Sequence, residues 1–554
     1  MGNEGEDTLL PLENKKYGAT SGYNQSTHMQ TYTAGEDSSR LAEMAKEFGL
    51  ARQRQTRQNV RERVPVPLSM LNKFVYERLL DPGFEDIRMR SIYTSHGELD
   101  DDDDERRQLL GRRPSWKEDG VEEEQDPHAH SMGGDLTSAV LGIIKGMVGP
   151  AILYLPHGFA NAGYVCAVPI LLFSTVLFLS SSACLLDSWK LESQRAFELT
   201  ALEAGRKRAR RTILSYPELA YRALGAAGET IVKVGIAAMQ SGVCLTYLIF
   251  VPQNLSASTL QLFKVDIPPT YFMSVMLVFQ IPMSWIRDIR KLTITNLLAN
   301  ILILYGLITC LGFALANALQ SEEGRGPLAE IDYKFNRLEP FNSGWFLFIG
   351  TSVLLFEGSI TLLVPLQEAV YREEDRKKFP SVYRRVILGI ITFYTFFGIF
   401  CWMSFGKDVK TVMTTSLPEG NIATTVQLAY SVAVIFTFPL QNFPSLEIAC
   451  RSISGAMQAC CGKSTSKLQS RNLIASVLVC LLAVVAISTM NSLDKVVSLM
   501  GSLLGCPLAF VFPPLIHNSL DPSISAGRRF QNKAVASLGL CAMVLASATT
   551  LLTW

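Results

Sequence analysis

A carboxylate, Glu357, stands in the middle of an apolar stretch that covers about residues 343–366. A charged group at membrane depth costs at least about 2.5 kcal/mol, and burial disfavours its ionised form. A carboxyl group in this setting is suited to taking up and releasing a proton, and such groups concentrate at functional sites. The competing interpretation is structural, with Glu357 paired to Lys145 or to backbone amides.

Glycine and proline are crowded into another apolar stretch, at Gly146, Gly149, Pro150 and Pro156. Glycine weakens a helix and proline removes a backbone donor, so this pattern predicts a broken helix. Broken backbone at membrane depth is tolerated where it lines a cavity. The half-helix ends freed by a break carry partial charges of opposite sign, which together suit a zwitterion. The alternative is that these residues only permit a kink or close packing.

Two hydroxyl-bearing residues in other apolar stretches are further candidates for the same site. Tyr247 would direct its hydroxyl at a carboxylate, although a tyrosine in a helix bundle also serves as a core residue. Thr437, two residues before Pro439, would supply another wall of the site. A proline kink explains the second pattern equally well.

The elements that must position these residues are long apolar helices. The 554 residues are 48% hydrophobic and 18% charged, whereas a soluble domain carries about 25% charged residues. Apolar runs of about 20 residues, enough to cross about 30 Å of hydrocarbon, recur from residue 135 onward. They lack the alternation of barrel strands, so helices are predicted. We predict eleven spans, at residues 136–161, 164–188, 230–252, 270–286, 292–318, 343–366, 384–405, 421–443, 472–490, 494–517 and 532–553.

The two unusual stretches occupy corresponding places in the chain. The glycine–proline stretch is the first span, and Glu357 lies in the sixth, so each begins one half of a ten-span unit. Interrupted helices at matched positions point to a transporter built from inverted repeats. The sequence therefore predicts an all-α membrane protein with eleven transmembrane helices, two inverted five-helix repeats and broken first and sixth helices.

Residues 1–134 differ in composition from the predicted transporter domain, residues 135–554. They are polar and include an acidic run at 100–105, so we expect a largely disordered tail. Basic clusters at 206–211, 287–291 and 376–378 fall in alternate loops, which places the N-terminus in the cytosol. Glu105, Leu109 and Leu110 match a sorting pattern read by cytosolic adaptors, although such short matches are common by chance. The tail also leaves open a role as an amino-acid sensor or signalling protein.

Several classes of function are excluded by the sequence. There is no phosphate-binding glycine loop with its lysine and no spacing typical of metal ligands. No paired polar constellation suggests an enzyme, and 51 Lys and Arg against 50 Asp and Glu give no nucleic-acid footprint. We expect no cofactor, no metal and no catalytic residue, and transport would have to be driven by a gradient.

The predicted spans resemble helices of the amino acid/auxin permease family, in its branch of proton-coupled and vacuolar amino acid transporters. The first span carries Lys145-Gly146, Gly149, Leu153, Leu155-Pro156 and Asn161-Ala162-Gly163, which is similar to the first helix of that branch. The sixth span is similar to its sixth helix through Gly350-Thr351, Phe356-Glu357-Gly358 and Pro365-Leu366. Shorter similarities to the third and eighth helices lie at Cys244…Tyr247 and Thr437-Phe438-Pro439-Leu440-Gln441.

This resemblance implies a fold of the amino acid–polyamine–organocation type and proton-coupled symport of small neutral amino acids by alternating access. It implies that the interrupted segments contact the substrate, through Gly146, Met147, Val148, Gly149, Pro150, Phe356, Glu357, Gly358 and Ser359. Sodium coupling stays open, as does the choice between a vacuolar or lysosomal membrane and the plasma membrane. Animal members carry a functional histidine where this chain has Gly142, so Glu357 is the first candidate for the proton carrier.

Overall fold

The computed structural model describes residues 136–204, 214–286, 293–320, 326–370, 372–461 and 467–554. These residues are helical apart from short connections. The predicted tail, residues 1–134, lies outside the described residues, as does the sorting pattern of Glu105, Leu109 and Leu110. The tail and its pattern therefore stay predictions.

The helices are numbered here in chain order. The first six are α1 (Leu136–Met147), α2 (Leu155–Ala162), α3 (Tyr164–Ala204), α4 (Tyr216–Phe263), α5 (Pro269–Ser284) and α6 (Thr293–Leu319). The next five are α7 (Pro327–Asn336), α8 (Trp345–Leu354), α9 (Glu357–Ala369), α10 (Glu373–Phe405) and α11 (Asn421–Cys461). The last four are α12 (Lys467–Thr489), α13 (Leu493–Leu499), α14 (Phe512–Leu520) and α15 (Ala526–Leu552). Wider π turns at Met500–Gly505 and Pro507–Val511 connect α13 to α14.

Long apolar helices dominate the described part of the chain. Eight helical stretches are long and apolar enough to cross a membrane, and a ninth is added if the bent pair Leu136–Met147 and Pro150–Ala162 is one span. One of the eight, Arg471–Leu520, has 50 residues, whereas α5 has only 16. The prediction of an all-helical membrane protein is confirmed, and the number of crossings stays a prediction.

Among the helices that the structure describes, α4 and α11 make the most extensive contact. Their interface is aromatic near its middle, where the rings of Phe250 and Tyr430 meet edge to face with centroids 6.2 Å apart. Nearby, the Ser258 hydroxyl donates a 2.8 Å hydrogen bond to Gln427 between buried side chains. Buried polar groups that pair across an interface fix the register of the two helices. The α4–α11 pair is therefore a rigid wall for the elements beside it.

Glycines let other helices approach until their backbones touch. A Cβ placed on Gly358 of α9 would overlap the carbonyl oxygen of Gly146 in α1. A Cβ on Gly350 of α8 would overlap the carbonyl oxygen of Ser498 in α13. Small residues allow this closeness between membrane helices, where packing and polar contacts replace the hydrophobic driving force. The α8–α9 stretch is thus held between the first helix and α13.

The substitution Gly350→Ala is expected to destabilise the bundle, because its methyl group meets a backbone oxygen that cannot rotate away. Overpacking of this kind costs about 1–3 kcal/mol, which lowers the apparent melting temperature in detergent, read by tryptophan fluorescence. Gly389→Ala is the matched control, since Gly389 lies on an exposed face of α10 with no described atom within 4 Å of the added carbon. Equal melting temperatures for the two variants would contradict the close approach.

Candidate functional site

The first span is broken where its glycines and prolines predict a break. α1 ends at Met147, and the following 3-10 turn and α2 run at 40° to it. Gly149, between the two parts, has extended backbone with φ −130° and ψ −168°. Pro150 has no N–H, so the carbonyl of Gly146 loses its partner within the helix. The C-terminus of α1 therefore ends inside the bundle, where its last carbonyls need partners from outside the helix.

A tyrosine from another helix stabilises this break. The hydroxyl of Tyr394, a fully buried residue of α10, donates a 2.6 Å hydrogen bond to the carbonyl of Met147. The amide of Gly149 donates to the same carbonyl at 2.9 Å. A buried acceptor without a partner costs about 1–3 kcal/mol, and these two donors remove that penalty at Met147. The sequence contains no local signal for this role of Tyr394, because the contact joins distant parts of the chain.

The interruption in the sixth span is milder than the broken helix predicted there. α8 ends at Leu354 and α9 begins at Glu357, and the linking residues Leu355 and Phe356 keep right-handed helical dihedrals. The amide of Phe356 donates to Val353 at 3.0 Å, which tightens the turn. The whole stretch Trp345–Ala369 is still one helical stretch that is long and apolar enough to cross a membrane. The reason is that neither linking residue is a glycine or proline, so the backbone tightens without separating.

Both interruptions face an internal cavity of about 130 Å³. This space is large enough for several water molecules or a small solute. Most of the residues predicted from the sequence line it, namely Gly146, Met147, Val148, Gly149, Pro150, Tyr247, Glu357, Gly358 and Thr437. The structure thus brings residues from four separate spans to one place.

Two of the residues expected at the site lie outside this cavity. Phe356 is fully buried and stacks on Phe178 of α3, with ring centroids 4.4 Å apart. Ser359 shares a 2.6 Å hydrogen bond with the hydroxyl of Tyr383 in α10. Successive residues of a helix point about 100° apart, so the neighbours of Glu357 and Gly358 face other helices. A family motif of consecutive residues does not show which of those residues face the cavity and which face other helices.

Glu357 is held in the cavity wall by two glutamines. Its Oε1 atom accepts a 2.7 Å hydrogen bond from Nε2 of Gln240 in α4 and a 3.1 Å bond from Nε2 of Gln441 in α11. Gln441 also donates to Oε1 of Gln240. Amide donors of this kind replace part of the water that a carboxylate loses on burial. The pair α4 and α11 therefore fixes the position of the acid at the start of α9.

Sequence reasoning missed the amide residues of the cavity. Gln240, Gln441, Asn296 and Asn300 all line it, and each interrupts an apolar span. Polar residues within membrane spans are uncommon and mark functional interiors, so this signal was available. Lys145, which is partly buried, also lines the cavity. Metal-ligand clusters of three or more His, Cys, Asp or Glu do not occur among the residues that the structure describes.

The two hydroxyl candidates, Tyr247 and Thr437, both line the cavity. Thr437 donates to the carbonyls of Ala433 and Val434 in its own helix, at 3.1 Å each. Such back-bonding is common for threonine in membrane helices and bends them slightly. Tyr247 is 8% exposed and lines the cavity. Because Thr437 lines the cavity and also bonds to its own helix, both interpretations of this residue, as part of the cavity wall and as part of a kink, stay open.

The family follows from comparison with known proteins. The chain matches the family described as "Transmembrane amino acid transporter protein" over residues 132–553, and it belongs to that family. This agrees with the resemblance in the first and sixth spans. The family consists of membrane transporters, so the chain is not an enzyme.

Individual relatives are 26–29% identical to this chain over the residues that align. Vacuolar amino acid transporter 4 of Saccharomyces cerevisiae is 28% identical over 411 residues, which is 70% of this chain and 54% of that protein. Vacuolar amino acid transporter 3 of the same yeast is 29% identical over 442 residues, which is 78% of this chain and 58% of that protein. Amino acid transporter ANT1 of Arabidopsis thaliana is 26% identical over 443 residues, which is 77% of this chain and 95% of that protein. The chain spans little more than half the length of the two yeast relatives.

A solved structure similar to the chain is the inward-facing conformation of Mhp1. It is 14% identical, with a TM-score of 0.46, over 76% of this chain and 88% of that one. The structure of MhsT in complex with L-phenylalanine is 10% identical, with a TM-score of 0.42, over 74% of this chain and 98% of that one.

We expect Tyr394→Phe to lower the free energy of unfolding by about 0.5–1.5 kcal/mol, because the Met147 carbonyl loses its side-chain donor and keeps only the Gly149 amide. The midpoint of thermal unfolding in detergent measures this loss. Tyr430→Phe is the control, since the buried Tyr430 hydroxyl makes no hydrogen bond within the described part of the chain. Its removal should leave the midpoint unchanged. Equal losses in both variants would mean that the hydroxyl of Tyr394 does not stabilise the break.

Proposed function

We propose that the chain is a secondary active transporter that moves a small neutral amino acid together with a proton by alternating access. The observation that carries this proposal is the placement of Glu357. It is the first residue of α9, it lines the cavity, and amides from α4 and α11 hold its carboxyl group. Family membership supplies the substrate class.

The two helix ends at the cavity suit the charged groups of an amino acid. The contact between Gly146 and Gly358 sets the C-terminus of α1 beside the N-terminus of α9. Helix ends carry partial charges of about half a unit, negative at the C-terminus and positive at the N-terminus. The substrate ammonium group would bind near the α1 carbonyls, and its carboxylate near the α9 amides. A cavity of about 130 Å³ favours a small side chain.

Glu357 offers a physical link between proton binding and substrate binding. Two like charges 4 Å apart repel by about 4 kcal/mol at an effective dielectric constant of ~20. An ionised Glu357 would therefore oppose a substrate carboxylate at the start of α9, and protonation removes the opposition. A proton moving down its gradient supplies about 1.4 kcal/mol per pH unit. If charge crosses the membrane, about 2.3 kcal/mol per 100 mV is added.

The same proposal includes eleven crossings with two inverted five-helix repeats. A straight helix of 50 residues would be about 75 Å long, more than twice the thickness of the hydrocarbon core. The stretch Arg471–Leu520 would therefore cross twice, and its 3-10 turn at Met490–Ser492 lies at a suitable place for the reversal. α5, at about 24 Å, would cross with its flanking residues. The eight long stretches, the bent first span, the second crossing of Arg471–Leu520 and the crossing of α5 together give eleven.

We place the protein in the vacuolar or lysosomal membrane, with its N-terminus in the cytosol. The names of the two yeast relatives support the organelle, and the basic loops support the orientation. An acidic lumen would supply the protons for symport toward the cytosol. The pattern at Glu105, Leu109 and Leu110 would recruit sorting adaptors to the tail. The plasma membrane is the alternative outcome of a localisation experiment with the tagged full chain.

Replacing Glu357 with glutamine is expected to separate transport from its driving force. In proteoliposomes, Glu357→Gln should lose accumulation of labelled alanine under an imposed pH gradient, because glutamine cannot carry the proton. Exchange of internal for external alanine without a gradient should persist, since the neutral side chain resembles the protonated acid. Glu373→Gln is the control, because Glu373 is an exposed residue that pairs with Lys377 outside the cavity.

Gradient-driven accumulation by Glu357→Gln at the rate of the unsubstituted protein would contradict the proton assignment. Repeating both assays with sodium replaced by choline identifies the coupling ion. Accumulation that requires sodium and ignores the pH gradient would contradict proton coupling while leaving amino acid transport intact.

A further inference from the structure

The cavity contains two asparagines that the proposed coupling does not use. Asn296 and Asn300 lie one helical turn apart on α6, and Ile303 continues the same face along the cavity wall. Asn296 is only 5% exposed, and Asn300 is partly buried. Within the residues that the structure describes, neither side-chain amide forms a hydrogen bond with the protein, and both amides are accessible from the cavity.

This situation differs from that of the other amides in the wall. Gln240 and Gln441 bond to each other and to Glu357. The amides of Asn296 and Asn300 have no such protein partner among the described residues and are accessible from the cavity, and asparagine is also a weak helix former. Asn296 and Asn300 therefore present to the cavity amide groups that only water or a bound molecule can pair with.

We propose that Asn296 and Asn300 form a subsite for the substrate side chain, which selects amino acids with a short, polar and uncharged side chain. This inference rests on the proposed function, since the ammonium and carboxylate groups must occupy the helix ends near Gly146 and Gly358. An asparagine amide donates and accepts hydrogen bonds, so it pairs with a hydroxyl or a carboxamide. Two neutral amides cannot offset a buried ion, which disfavours charged side chains.

Selectivity follows from the same unpaired groups. A site built to hydrogen-bond its ligand rejects an analogue without the polar group, because the analogue leaves the amides of the site unpaired. An apolar pocket discriminates much less between side chains of equal shape. Threonine and valine, and likewise asparagine and leucine, are pairs of similar shape that differ in this one property.

The test is transport by the full chain in proteoliposomes, with kcat/KM measured for all four amino acids. We expect threonine to exceed valine, and asparagine to exceed leucine, by about tenfold. In Asn300→Leu and Asn296→Leu both ratios should fall toward one. Asn317→Leu is the matched control on the same helix, since Asn317 bonds to the carbonyl of Ser404 outside the cavity, and its ratios should stay at the unsubstituted values.

The outcomes separate this inference from the proposed function. Absence of transport for every amino acid would overturn both. Transport of valine as efficient as that of threonine would leave the transporter intact and overturn the subsite, because the amides would then be satisfied by water alone. Preserved ratios in both leucine variants would overturn it as well. The ratios of the unsubstituted protein need no variant, so a misfolded variant does not remove the test.

Discussion

Backbone polar groups inside a bilayer have no water to bind, and this constraint governs the candidate site. A helix can end at membrane depth only if other groups of the protein satisfy the carbonyls and amides it releases. At the end of α1 the Met147 carbonyl receives the hydroxyl of Tyr394 and the amide of Gly149. The Gly146 carbonyl, by contrast, loses its helical partner to Pro150 and lies against Gly358. The break is thus supported on one side and faces the cavity on the other.

A second consequence concerns charge. The end of α1 and the start of α9 meet because two glycines remove the side chains that would keep them apart. Glu357 stands at this junction, and its carboxyl group is fixed by Gln240 and Gln441 from the α4–α11 wall. An acid, two helix ends and a small cavity therefore share one location. In the proposed mechanism, protonation of the acid and binding of the substrate carboxylate become a single coupled event.

The sequence predicts the class and the first break well, for physical reasons that are local. Apolar length indicates membrane helices, and proline without an N–H breaks the first span at the place expected. The sixth span shows the limit of this reasoning, since Leu355 and Phe356 have no special backbone preference and the turn only tightens. Helical periodicity, applied to the motif around Glu357, would have excluded Phe356 and Ser359 from the cavity. Gln240 and Gln441 stand out in the sequence as polar residues within apolar spans, but their bonds to Glu357 join distant helices. The contact of Tyr394 with Met147 does the same, and no local pattern contains such contacts.

The most direct measurement is an electron cryo-microscopy structure of the full chain in lipid nanodiscs with saturating alanine. The account predicts a first helix that ends at Met147 and density for the amino acid between the end of α1 and the start of α9, beside Glu357. A first helix that continues straight through Gly149 and Pro150, or alanine bound away from this cavity, would contradict it.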